Sequence, residues 1–277
     1  MNYRKRLIFI IILLIAAMPS AVAADGFNLD PEVIGMVPRL LTATSDRNAK
    51  VMECALGDAA ADAARIYLKS DLAIICGGDF AENLMHGSIT RRELESVFTE
   101  DRTLATANIT IKKLRQILEV GISRIILDEA LMTDVEASIY EGFPQISGFV
   151  MYYDPTALPG ERVYEIRIDS EAIDLDSEEF TVQLAATAFM FEGGYGLPEV
   201  DEFTSSDLTL TDVMSLYIKD GMADYTQTGQ RMKIMGTMDG TLANKLPSAL
   251  VIMVVVMIML ARAATSKKNS REFNADK

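Results

Sequence analysis

The sequence predicts a layered α+β domain built on a mixed sheet, carried between an N-terminal export signal and one C-terminal membrane-spanning helix. Three observations predict it. Helix-like and strand-like segments alternate without a strict β-α rhythm, which separates α+β from doubly wound architectures. Two long apolar runs sit at the ends of the 277 residues and nowhere else. Between them there is no internal repeat, low-complexity tract or evident linker.

Taken in order, the first segment places Arg4, Lys5 and Arg6 before an apolar run from Leu7 to Ala17 and a small-residue end at Ala21-Val22-Ala23. That is the pattern of a cleavable secretory signal over residues 1–23. The domain is expected over 24–236. Its first helix spans Leu56 to Lys69, rich in alanine and apolar on one face. Asp71 to Cys76 is a wholly apolar run, as in a buried strand, and Gly77-Gly78-Asp79 turns the chain at its end. Thr90 caps a helix reaching Phe98, with Glu93 completing a capping box. Thr103 to Ile109 alternates like a strand, and Thr110 starts a second amphipathic helix extending to Arg124.

Gln145 to Asp154 and Arg162 to Ile168 are strand-like, with a turn at Pro159-Gly160. Phe180 to Phe191 is a further strand candidate, closed by Gly193-Gly194-Tyr195-Gly196. Thr211 to Lys219 reads as a late helix and Gln230 to Met235 as a last strand. Residues 237–245 form a stalk. Residues 246–264 contain the charge-free run from Leu246 to Ala261, near the length that crosses a hydrocarbon core of ~30 Å. Arg262, Lys267, Lys268 and Arg271 follow, so the tail 265–277 is expected in the cytoplasm and the domain outside the cell membrane.

Charge narrows the partners. Without the three basic residues of the first segment and the five beyond 245, 18 of the 26 Lys+Arg remain. Without Glu272 and Asp276, 38 of the 40 Asp+Glu remain, so the exported part lies near −20. Such a field excludes nucleic acid as a partner. The two cysteines, Cys54 and Cys76, both fall in this part, and export favours one disulfide between them, provided their Cα atoms come within about 7 Å. The acidic run Asp169 to Glu179 lacks the register of a calcium loop and reads as a solvated turn. Neither glycine cluster opens a helix inside a βαβ unit, so no dinucleotide cofactor is expected. No nucleophile–base pair forms around His86, the single histidine, and no metal site is expected.

One set of motifs goes further. Glu53, Leu56-Gly57-Asp58 and Asp62-Ala63 precede Cys76-Gly77-Gly78-Asp79-Phe80-Ala81. Gly87-Ser88-Ile89-Thr90 and Leu118-Glu119-Val120-Gly121-Ile122-Ser123-Arg124 follow, then Phe143-Pro144-Gln145-Ile146-Ser147-Gly148, Pro159-Gly160-Glu161-Arg162-Val163 and Gly193-Gly194-Tyr195-Gly196-Leu197. In this order they resemble the C-terminal, substrate-recognition domain of the 5'-nucleotidase / UDP-sugar hydrolase / 2',3'-cyclic-nucleotide phosphodiesterase family. The resemblance covers about Pro38 to Met235 and implies a nucleoside or nucleotide-sugar pocket where the two glycine loops meet.

The departures fall on that pocket. The family's strand-end Asn and loop Arg correspond to Cys76 and Ala81, and its two base-stacking rings to Glu100 and Leu197. Stacking stabilises a bound base by about 1–3 kcal/mol, a large part of the roughly 8 kcal/mol of a micromolar complex. The usual purine site is therefore expected to be lost, with Asp79, Phe80, Glu100 and Tyr195 lining a changed one beside Gly77, Gly78, Gly193 and Gly194. The family's catalysis uses two metals about 3.5–4 Å apart on a separate N-terminal domain, which these residues do not include. The resemblance thus implies a hydrolase component, and the residues imply a non-catalytic recognition or interaction module. Two other readings stay open: the substrate-binding subunit of a split nucleotidase whose metallophosphoesterase is another chain, and a structural envelope protein.

Overall fold

A computed structural model describes residues 32–45, 47–127, 133–222 and 230–235. The signal-like segment 1–23, the stalk 237–245, the apolar segment 246–264 and the tail 265–277 lie outside the described residues. Among the described residues no helix is long and apolar enough to cross a membrane.

One central sheet lies between two layers. Its order is β10 (Thr204–Thr209), β4 (Thr103–Thr110), β9 (Thr181–Thr187), β2 (Leu72–Cys76), β5 (Pro144–Ser147). Only β2 and β9 run parallel; the other neighbours are antiparallel. On one face, Ala73, Ile75, Leu104 and Ala185 pack under α1 (Ala55–Leu68), α2 (Arg91–Val97), α5 (Leu210–Lys219) and the ribbon of β1 (Val33–Val37) with β3 (Gly87–Thr90). On the other, Leu72, Ile74, Cys76, Ala105, Leu184 and Ala186 meet α3 (Ile111–Gly121), α4 (Ala188–Phe191) and a second sheet. That sheet runs β11 (Met232–Ile234), β6 (Phe149–Tyr153), β7 (Val163–Ile168), β8 (Glu171–Ala172). This is the layered mixed-sheet domain the sequence predicts.

The two-residue period of β2 decides the fate of the cysteines. Cys76 points with Leu72 and Ile74 into one core, while Cys54 sits in the other, so the sheet stands between them. Both are free, buried thiols, and the expected Cys54–Cys76 disulfide is absent. Cys54 instead caps α1, its Sγ accepting the Gly57 N–H at 3.3 Å.

Other departures have local causes. The stretch expected as one strand over 145–154 is broken at Gly148, whose φ of +88° turns the chain from the central sheet into the second. A Cβ there would lie 2.4 Å from the Asp71 carbonyl oxygen, so close approach also demands glycine. The strand expected to reach Phe191 stops at Thr187, whose Oγ1 accepts the Met190 N–H and opens α4. α3 ends at Gly121 rather than Arg124. β10, β1 and β3 carry polar, exposed or very short patterns that periodicity does not reveal.

The last strand is held by a buried polar clamp. The Glu53 carboxylate, 2% exposed, accepts the backbone N–H groups of Gln230, Arg231 and Met232 at 3.1, 3.0 and 2.8 Å. Arg231 forks onto Asp62 at 3.0 and 2.9 Å and donates to the Ile146 carbonyl at 2.8 Å. Asp58 lies 3.6 Å from the same guanidinium. Burial first, and the nearby Glu53 charge second, push its carboxyl up to about 8, so it holds its proton at neutral pH.

Candidate functional site

The glycine loops do meet. After β2, a short 3-10 turn over Gly77–Asp79 is pinned by Gly77 N–H to Phe143 O and Gly78 N–H to Glu141 O, at 2.8 and 2.7 Å. Gly78 admits no side chain, since a Cβ there would fall 2.7 Å from the Tyr195 Cζ. Asp79 closes the turn with no solvent exposure. Its carboxylate accepts the Cys76 N–H at 3.2 Å and the Tyr195 hydroxyl at 3.0 Å, and lies 3.2 Å from the Arg102 Nε.

Arg102 enters from the loop between α2 and β4. Its guanidinium lies over Phe189 of α4, 3.6 Å from the ring centroid, and 5.5 Å from that of Tyr195. Phe189 and Tyr195 meet edge to face at 5.0 Å. On the rim, Glu100 pairs with the outer nitrogen of Arg102 at 3.2 Å while itself 66% exposed. Tyr195 is held with φ of +58° between the left-handed Gly193 and Gly196, and its carbonyl accepts the Tyr140 hydroxyl at 2.6 Å. A tyrosine at positive φ is strained and persists only where its surroundings over-determine it.

The electrostatics follow from burial. Loss of water raises the Asp79 carboxyl to about 6, against the Tyr195 hydrogen bond, the Arg102 charge and the Cys76 N–H. It therefore remains mostly ionised at neutral pH and needs its cation. Burial, then the Asp79 charge, raises the Tyr195 phenol and the Cys76 thiol, which stay protonated.

Of the residues singled out from sequence, the structure brings Gly77, Gly78, Asp79, Glu100, Gly193, Gly194 and Tyr195 together. It directs the others elsewhere. Phe80 is buried in the α1-side core against Phe98, with ring centroids 6.0 Å apart, so it does not line the site. Cys76 and Leu197 are buried on the second-sheet side. Ala81 is exposed, with its N–H on the Val97 carbonyl. Sequence reasoning does not reach Arg102, Phe189 or Tyr140; the one available signal is an arginine set against Glu100 and Asp101 at a strand entrance. Between the two glycine loops, this chain's own guanidinium and phenol pack against the Asp79 carboxylate. The two-metal site that the resemblance assigns to another domain has no counterpart among the described residues, where no group of three His, Cys, Asp or Glu side chains is arranged to hold a metal ion. His86 is exposed in the loop before β3.

Comparison with known proteins agrees with this fold. The family model described as "5'-nucleotidase, C-terminal domain" matches residues 33–202. The trifunctional nucleotide phosphoesterase YfkN of Bacillus subtilis (strain 168) is 27% identical over 128 residues, 45% of this chain and 8% of that protein. The 5'-nucleotidase precursor of Thermus thermophilus superposes with a TM-score of 0.61 at 19% identity, over 84% of this chain and 43% of that one. The NAD nucleotidase of Haemophilus influenzae superposes with a TM-score of 0.55 at 18% identity, over 75% of this chain and 39% of that one. The chain thus spans less than half the length of each of these relatives. With more than half of its residues inside the matched span, this chain belongs to the 5'-nucleotidase C-terminal domain family.

Proposed function

We propose that this chain is a membrane-anchored recognition or interaction module, displayed outside the cell and non-catalytic by itself. One observation carries the reading: the loop site is filled from within, Asp79 being fully buried between Arg102 and Tyr195. A nucleoside would have to displace a guanidinium from a buried carboxylate and would return no compensating charge. The charge-free run from Leu246 to Ala261 and the basic residues behind it support the anchor and its orientation. The partner would be another envelope protein.

The test is thermal denaturation of the detergent-solubilised chain against nucleosides, nucleotides and nucleotide sugars. A ligand at 100 times its Kd stabilises by ~2.7 kcal/mol, several degrees for a domain of this size. The expected response is flat. A saturable shift would overturn the filled-site reading. It would favour a second one, suggested by relatives of which this chain covers 43% or less. There the domain supplies the substrate-binding half of a nucleotidase whose metallophosphoesterase is a separate chain. A flat response with no partner in crosslinked membranes would leave a structural envelope role.

A further inference from the structure

We propose that the loop site is a guanidinium cage whose external ligand is an arginine side chain of a partner protein, and that Arg102 occupies it as an internal competitor. The biological use rests on the recognition reading above; the cage rests on geometry alone.

The parts of a cation site are all present. Asp79 supplies a buried carboxylate with no solvent exposure. Phe189 supplies a ring face at 3.6 Å and Tyr195 a second aromatic wall at 5.5 Å. A planar, weakly hydrated guanidinium suits such a pocket better than a compact ammonium, because it stacks and hydrogen-bonds at once. A neutral base offers the ring a stacking partner but leaves the Asp79 charge unmatched, which is costly in a buried place. The chain as a whole carries a net charge of −14, which draws cationic segments toward it.

The internal arginine is an imperfect occupant. Its Nε is buried with no hydrogen-bond partner, although it lies 3.2 Å from the Asp79 oxygen. Arg102 is also delivered by a loop rather than from within a helix or strand, the segment between α2 and β4. Tyr195, which covers the carboxylate, holds a strained positive φ between two left-handed glycines. Rotation of that turn relieves the strain and uncovers Asp79. A partner's arginine entering from outside can present its fork to Asp79 without the constraint of the Arg102 backbone. Glu100, on the exposed rim, is placed to take the displaced Arg102 or to guide the incoming cation.

Chemical rescue tests the cage. In the full chain, Arg102→Ala removes the occupant and leaves Asp79 unpaired. Methylguanidinium, at millimolar concentration and matched ionic strength, should then raise the Tm saturably by about 5 °C. Methylammonium should do distinctly less, and the wild type should barely respond. The Arg102→Ala/Asp79→Asn double variant should show no rescue. Equal responses in wild type and Arg102→Ala, or rescue that survives loss of the carboxylate, would overturn the cage. If Arg102→Ala does not fold, Arg102→Gln provides a neutral head of similar reach for the same titration. An arginine-containing peptide should bind the Arg102 variant at least tenfold more tightly than the wild type; equal affinity would overturn the internal competition. Failed rescue leaves the recognition reading standing, because that reading is decided by the nucleoside panel and membrane crosslinking.

Discussion

Replacing Glu53 by alanine should cost this domain about 3–4 kcal/mol, and the figure follows from the clamp on the last strand. The lost carboxylate accepts three backbone N–H groups of residues 230–232, at 3.1, 3.0 and 2.8 Å. Bonds to a charged acceptor contribute about 1.5–3 kcal/mol each, so a simple sum would reach well above the stated cost. The strand has an alternative to stranding those donors, which is to peel away and hydrate them. Peeling exposes Met232, now 7% exposed, worth about 1.5–3 kcal/mol. It also breaks the parallel pairing with β6, at about 1 kcal/mol per bond. The cheaper route sets the ceiling. Urea denaturation at neutral pH should show the loss, and thermal melting a fall of roughly 10 °C. Hydrogen exchange should rise sharply at 230–235 and little in β2 or β9. A loss below about 1 kcal/mol with unchanged exchange at 230–235 would refute the idea that this carboxylate holds the strand.

Further outcomes follow from neighbouring features. Asp58 and Asp79 have native pKa values raised to about 8 and about 6. The native state therefore binds protons more tightly than the unfolded chain, and their stabilisation is complete below about pH 4 and lost as pH climbs through those values. Urea midpoints should be higher at pH 5 than at pH 8.5, and Asp58→Asn should flatten that difference; an unchanged slope would refute the assignment. Gly148→Ala should destabilise by more than about 1 kcal/mol, because its φ is +88° and its Cβ would meet the Asp71 carbonyl at 2.4 Å; a neutral effect would deny the tight crossing between the sheets. Thiol titration in denaturant should find two free thiols per chain, and reductant should leave the native Tm unchanged.

Much of the frame is legible because short-range chemistry fixes it. Thr90 and Glu93 form their reciprocal cap, with the Glu93 N–H on Thr90 Oγ1 at 3.2 Å and the Thr90 N–H on Glu93 at 2.8 Å. The apolar run before Cys76 is β2, buried throughout. β10 is invisible to periodicity because an edge strand reading Thr-Ser-Ser-Asp-Leu-Thr has no buried face to impose a period. α4 hides inside a strand-like stretch because Thr187 caps it with only four residues to follow. At the site, loop glycines fix where the backbone turns, so Asp79 and Tyr195 can be found. Arg102 and Phe189 cannot, since their meeting depends on β4 and β9 pairing across the sheet. Phe80 departs from expectation because it leaves the 3-10 turn in an extended conformation and bridges to Phe98, which carries its ring into the α1-side core.

Two thiols on opposite sides of one sheet have a consequence for how the chain reaches its native state. In the folded domain a 54–76 bridge cannot close without dismantling β2, since one sulfur belongs to each core. In an unfolded chain the same sulfurs are separated by a short loop and join readily under oxidising conditions. That bridge would tie the capping residue of α1 to the wrong side of the strand that α1 must cover. Oxidation before collapse is therefore a covalent dead end rather than a staple, and in an oxidising compartment the yield of native protein is set by a race between collapse and thiol chemistry.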